Sequence, residues 1–197
     1  MRKLIVCVLF AAIMTGAFSQ EEGKVRGGLD LGYCIPTKGG GGFAFNLNIG
    51  YNLQDNMNVG LKLGVAAMAK VDPFGETGSV AANVNYLATF NYYFSSGTSP
   101  VAPFVGCGAG LFALAGADAG VSSVSVDVGN RFGGLLTAGV ELGKFRLAFE
   151  YNMIPSSAVK FTGTNTGPMA ITSDKIKNSY FAITTGVYFG GGKWRKS

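Results

Sequence analysis

From residue 43 to residue 53 the chain reads Phe-Ala-Phe-Asn-Leu-Asn-Ile-Gly-Tyr-Asn-Leu, with every odd position large and apolar and every even position small or polar. Successive side chains of a strand point to opposite faces. The pattern therefore predicts a strand with Phe43, Phe45, Leu47, Ile49, Tyr51 and Leu53 on one face and Ala44, Asn46, Asn48, Gly50 and Asn52 on the other. A soluble sheet would bury the apolar face in a core, whereas a membrane barrel would turn it to lipid and wrap the small face around a narrow interior. A tilted strand needs about 9–11 residues to cross a bilayer, and this segment is of that length.

The same period recurs along the chain. Before it, residues 24–35 set Leu29, Leu31 and Tyr33 against Arg26, Gly28, Asp30, Gly32 and Cys34. After it come Met57, Val59, Leu61, Leu63 and Val65 against Asn58, Gly60, Lys62 and Gly64. A fourth strand over 80–94 sets Val84, Tyr86, Ala88, Phe90, Tyr92 and Phe94 against Asn83, Asn85, Thr89 and Asn91. The fifth, over 101–114, alternates Pro103, Val105, Cys107, Ala109 and Leu111 with Phe104, Gly106, Gly108 and Gly110. Phe132, Leu136, Ala138, Val140 and Leu142 mark a sixth, facing away from Gly133, Thr137, Gly139 and Glu141. Phe145, Leu147, Phe149 and Tyr151 mark a seventh, and residues 179–189 an eighth.

Between these runs the connections alternate in length. Residues 36–42, 69–78, 115–130 and 154–178 are mostly long; 54–56, 95–100 and Gly143-Lys144 are short. A glycine-first dipeptide between two alternating runs signals a two-residue type II′ hairpin. With both termini at one end, the short turns fall at the terminal end and the long loops at the other, as in outer-membrane barrels. Aromatic residues would ring both ends, Tyr51, Tyr92, Phe94, Phe145 and Phe189 at the terminal rim and Tyr33, Phe43, Phe132 and Tyr151 at the loop rim. No helical period competes. The expected fold is all-β, an eight-stranded antiparallel up-and-down transmembrane β-barrel.

Composition supports that picture. The 31 glycines are spread through the strands, where glycine is tolerated when other groups approach closely, as inside a small barrel. Met1-Arg2-Lys3 followed by an apolar run from Leu4 to Ile13 and the small residues Ala17 and Ser19 reads as a signal peptide. This predicts cleavage between Ser19 and Gln20, with 1–19 a signal peptide and 20–197 the barrel domain. Its apolar run is shorter than the roughly 18–20 residues of a spanning helix. Loss of Arg2 and Lys3 lowers the net charge of +5, and Lys193, Arg195 and Lys196 crowd into the tail, so the body is close to neutral. Nucleic acid, which calls for a basic stripe, is not an expected partner. Cys34 and Cys107 fall on opposite faces of different strands and are expected to stay unpaired.

With eight alternating strands and a signal peptide in place, three further stretches complete a resemblance. They are Pro103 through Gly110, the hairpin Val140 through Leu147, and the closing Gly186-Val187-Tyr188-Phe189-Gly190-Gly191-Gly192-Lys193. Together the chain resembles the small outer-membrane β-barrel family that includes the OmpA transmembrane domain and OmpX. The resemblance implies residence in the outer membrane, contact with its lipids, insertion by the outer-membrane assembly machinery, and external loops available to a surface ligand. One departure stands out: the family's assembly signal ends the protein on an aromatic residue, whereas here eight residues follow Phe189. Barrels of this size that are enzymes, such as the lipid A deacylase, work through a histidine, and this chain has none. No enzymatic activity is therefore expected.

The small faces carry six charged residues: Arg26, Asp30, Lys62, Glu141, Arg146 and Glu150. If Leu142 pairs with Phe145 across the turn, Glu141 lies opposite Arg146. A buried charge is tolerated when paired and hydrogen-bonded, so the six are expected to form an interior network that fills the lumen. Other candidates carry less. Gly106, Gly108 and Gly110 lie within a strand and precede no helix, which sets them apart from a phosphate loop. Asp118 and Asp127 have no calcium-loop spacing. Lys193-Trp194-Arg195-Lys196 suits anchoring at a membrane interface. No cofactor or metal is called for. The expected role is structural or surface-interacting, with a narrow channel for ions or small hydrophobic solutes as the alternative. A soluble secreted barrel holding a ligand would need large apolar residues inward and charges outward, the reverse of this pattern.

Overall fold

The computed structural model describes residues 21–37, 40–70, 79–94, 101–117, 124–125, 129–158, 160–161 and 175–191. The expected signal peptide with its Ser19–Gln20 junction, the loop acids Asp118 and Asp127, and the tail from Lys193 to Lys196 lie outside the described residues.

Eight strands close on themselves. They are β1 (Val25–Pro36), β2 (Gly41–Gln54), β3 (Met57–Lys70), β4 (Ser79–Tyr93), β5 (Val101–Ala117), β6 (Asn130–Leu142), β7 (Phe145–Met153) and β8 (Tyr180–Gly190). Each pairs antiparallel with its neighbours in the chain, and β8 pairs with β1 from Arg26↔Gly190 to Pro36↔Tyr180, so no edge is left open. Closure matters in a bilayer, where an unpaired backbone edge finds no water.

Alternation decides which way each side chain faces. In β2, Phe43, Phe45, Ile49 and Tyr51 are exposed, while Ala44, Asn46 and Asn52 are buried. A register shift between Asn52 and Gln54 bulges the end of that strand just before the turn at Asp55 and Asn56. Between β6 and β7 the two-residue turn holds Gly143 at φ 62°, a conformation that suits glycine.

The exterior is apolar along the wall, with Thr185 a polar exception in β8. Phe43 and Phe132, at 75% and 68% exposed, project furthest from the loop half. Aromatics touch one another there, Tyr33 edge-on to Phe43 at 6.0 Å and Tyr151 stacked on Phe181 at 4.5 Å. At the terminal end Tyr92 meets Phe94 at 5.1 Å.

Two features differ from the sequence reading. The two longest connections are not plain loops, because Val124–Ser125 in one pairs with Lys160–Phe161 in the other. Within the second, Ser157–Ala158 also pairs with Lys175–Ile176. Backbone groups in a long connection need partners, and strands this short leave no period to read. The second difference is inside. Beyond Phe104, which the alternation places inward, Leu87, Tyr93, Phe112 and Leu135 are also buried there, so the inward face is not uniformly small. Glycines on adjacent strands make room for them, Gly108 beside Leu135, and Gly133 and Gly139 beside the Phe112 and Phe104 rings.

Candidate functional site

All six charged residues named from the sequence are buried inside the barrel. Strand geometry explains their placement: Arg26 and Asp30 share the inward face of β1, Glu141 and Arg146 flank the β6–β7 turn, and Lys62 and Glu150 come from β3 and β7.

Glu141 and Arg146 are direct register partners, yet the closest cation to Glu141 is another. Arg26 Nη2 donates to both of its carboxylate oxygens, at 2.8 and 2.9 Å, whereas Arg146 Nη1 stands 3.8 Å away. Arg146 is held back by aromatic faces. Its guanidinium lies 4.0 Å from the centre of the Phe104 ring and 5.2 Å from that of Tyr188. Arg26 lies over the other neighbours, 4.5 Å from Tyr188 and 5.7 Å from Tyr93. Tyr93 and Phe104 are themselves in contact at 5.4 Å. Two cations thus pack among three aromatic rings in the lumen at the terminal end, an arrangement favoured by the ring quadrupole.

Hydroxyls tie this ring together. Tyr93 Oη donates to Glu141 Oε1 at 2.9 Å and accepts from Arg26 Nη1 at 3.1 Å. Tyr188 Oη accepts from Arg146 Nη1 at 3.0 Å and donates to Asp30 Oδ2 at 3.1 Å, where Asn48 Nδ2 also donates at 2.8 Å. Asp30 is therefore held by neutral donors, and its Oδ1 has no hydrogen-bond partner. Lys62 and Glu150 form a separate pair: Nζ reaches both carboxylate oxygens at 2.5 Å, and Thr184 Oγ1 adds a longer bond at 3.4 Å. β3 and β7 are not neighbours in the sheet, so this bond crosses the lumen.

Towards the loop end the filling changes character. Cys34, Ala44, Ala66 and Ala182 line one side, and Met68, Leu87, Phe112, Leu135, Ile154 and Tyr180 pack against them. Small residues on the contiguous strands β8, β1, β2 and β3 leave space that Leu87, Phe112 and Leu135 enter from β4, β5 and β6, while Met68 and Tyr180 fill it from β3 and β8 themselves. The sequence reading missed these fillers. At Tyr86-Leu87-Ala88 and Leu111-Phe112-Ala113 a large apolar inward residue sits between one large and one small outward neighbour, so the alternation falls silent. Cys34 is buried in this cluster and Cys107 faces outward, both free. Among the described residues no group of three or more histidines, cysteines and acids comes together in a way that would hold a metal.

A closed antiparallel barrel with an apolar exterior and a charge-paired interior has its surface matched to lipid and its polar groups to one another, the inverse of a water-soluble protein. This is the architecture of a closed eight-stranded transmembrane β-barrel. No protein-family description and no characterised protein sequence matches the chain. Solved structures do. OprG from Pseudomonas aeruginosa superposes with a TM-score of 0.55 at 14% identity, covering 87% of this chain and 98% of that one. Neisserial surface protein A gives 0.51 at 16% identity, covering 88% and 96%. Both likenesses are of fold.

Proposed function

We propose that this chain is a non-enzymatic outer-membrane protein that spans the bilayer as a plugged barrel and acts structurally or through its loop end. In this reading residues 1–19 direct export and are removed between Ser19 and Gln20, the outer-membrane assembly machinery inserts the barrel, and lipid is its principal partner. The observation that carries the proposal is the filled lumen. Eight strands give an interior just wide enough for side chains, and here an ionic-aromatic ring at one end and an apolar cluster at the other occupy it. The paired connections 124–125 and 160–161 give the loop end a shaped backbone on which a surface ligand would be met. The absence of histidine removes the base that enzymes of this barrel size use.

The alternative, a narrow channel, draws on buried polar atoms that lack partners, Asp30 Oδ1, Asn85 Oδ1, Asn91 Oδ1 and Thr137 Oγ1, which a file of water would satisfy. Conductance of the purified barrel in planar bilayers separates the two. A silent membrane is expected. Discrete, reproducible openings by pure protein would replace the plugged barrel with the channel.

A further inference from the structure

Seven of the eight strand pairs in the barrel join strands consecutive in the chain, so a connecting segment limits how far one strand slides against the other. The eighth pair, β1 with β8, joins the first strand to the last, and nothing covalent sets its register. Inside the barrel that seam has an unusual order. Arg26 faces Gly190, Gly28 faces Tyr188, Asp30 faces Gly186, and Gly32 faces Thr184. In each row one partner is glycine and the other carries a side chain, and the glycine changes strand from row to row.

The side chains occupy the space the glycines leave. A Cβ on Gly28 would overlap the Tyr188 ring, and one on Gly186 would overlap Asp30 Oδ1. A Cβ on Gly32 would come within 2.7 Å of Thr184 Cγ2, and one on Gly190 within 2.6 Å of the Val25 carbonyl. Elsewhere the order differs. Between β4 and β5 the rows are Leu87↔Gly110, Thr89↔Gly108 and Asn91↔Gly106, with every glycine on one strand. Sliding that pair by two residues would exchange one glycine for another.

We infer that the alternating glycine and side-chain rows of the β1–β8 seam form a steric register lock for barrel closure. A slip of two residues, the smallest that keeps each face where it belongs, would set Tyr188 against Asp30 or against Arg26 and glycine against glycine. Either direction puts bulk on bulk in one row and a void in the next, both of which a packed interior penalises. The native register is the one in which every row fits.

Cysteine pairs on the lipid-facing positions of the seam test this in the full chain refolded into lipid vesicles, with Cys34→Ala and Cys107→Ala as background. Leu29 is opposite Val187 in the native register and would be opposite Phe189 after a slip of two. Directly opposed strand residues are close enough for a disulfide. With the lock intact, Leu29→Cys is expected to bridge Val187→Cys and not Phe189→Cys. Two changes should release the slip: Tyr188→Gly, which removes the bulk from one row, and the swap Asp30→Gly with Gly186→Asp, which keeps every row's contents but moves the glycines of rows 28 to 32 onto β1. In both, the Leu29–Phe189 disulfide is expected to rise several-fold, measured by mass spectrometry of the bridged peptides, while Tyr188→Phe keeps the native pattern. Failure of Tyr188→Gly to fold leaves the swap as the deciding variant. Bridging confined to Leu29–Val187 in the folded swap would overturn the lock.

Discussion

The two ends of the lumen are filled by opposite means. At the terminal end Arg26, Glu141, Arg146, Tyr93, Tyr188 and Phe104 interlock through hydrogen bonds and ring contacts. At the loop end, Ala44, Ala66, Ala182 and Cys34 leave room for Phe112, Leu87, Met68 and Tyr180 in one mainly apolar cluster, with Tyr180 also bonded to Asn83. The first filling depends on every member, because a buried charge without its partner retains the full penalty of leaving water. The second degrades in proportion to the volume removed. One lumen thus combines an all-or-none filling with a graded one.

That contrast is open to breakage. Glu141→Ala strands two buried guanidiniums and should cost about 3–5 kcal/mol in the urea unfolding of the barrel in lipid vesicles. An unchanged midpoint would mean the network carries no stability. Phe112→Ala removes a fully buried aromatic filler of the apolar end and is expected to cost about 3–5 kcal/mol, and here a graded series through Phe112→Leu should give intermediate losses. On the outer wall Leu47→Arg should cost roughly 2–4 kcal/mol near the bilayer midplane, while Asn48→Arg is limited by interior space and by its bond to Asp30. Equal tolerance at the two positions would reverse the assignment of faces. Tyr188→Phe deletes a hydroxyl that serves both Arg146 and Asp30, for an expected loss of about 1–3 kcal/mol. Smallest of all should be Lys62→Met together with Glu150→Leu. Replacing a whole buried pair with apolar residues leaves stability unchanged or raised, against a loss of about 3–5 kcal/mol for Glu150→Ala alone.

Strand number, faces and the disposition of short and long connections were legible because a period of two survives in any strand with unlike faces. Asn46 and Lys62 could be assigned inward from their neighbours alone. Pairing across the lumen could not be read. Arg26 and Glu141 lie on strands that are not adjacent, as do Lys62 and Glu150, and their meeting depends on barrel diameter and strand tilt, which no local pattern encodes. Adjacency misled in one place. Glu141 and Arg146 are opposite in register as expected, but Phe104 and Tyr188 draw the guanidinium aside and Arg26 takes the carboxylate. The inward fillers Leu87, Tyr93, Phe112 and Leu135 were hidden for a related reason, since bulk on both faces erases the alternation.

The interior charges also bear on how the barrel answers an electric field. Arg26, Lys62 and Arg146 balance Asp30, Glu141 and Glu150, so these six together carry no net formal charge; Arg131, its Nε buried opposite Phe112, is a further cation beyond these six. A potential of 100 mV acts on one uncompensated elementary charge moved across a membrane with about 2.3 kcal/mol, but on a neutral assembly that stays in place it has almost no purchase. Voltage alone should leave these six charges where they are.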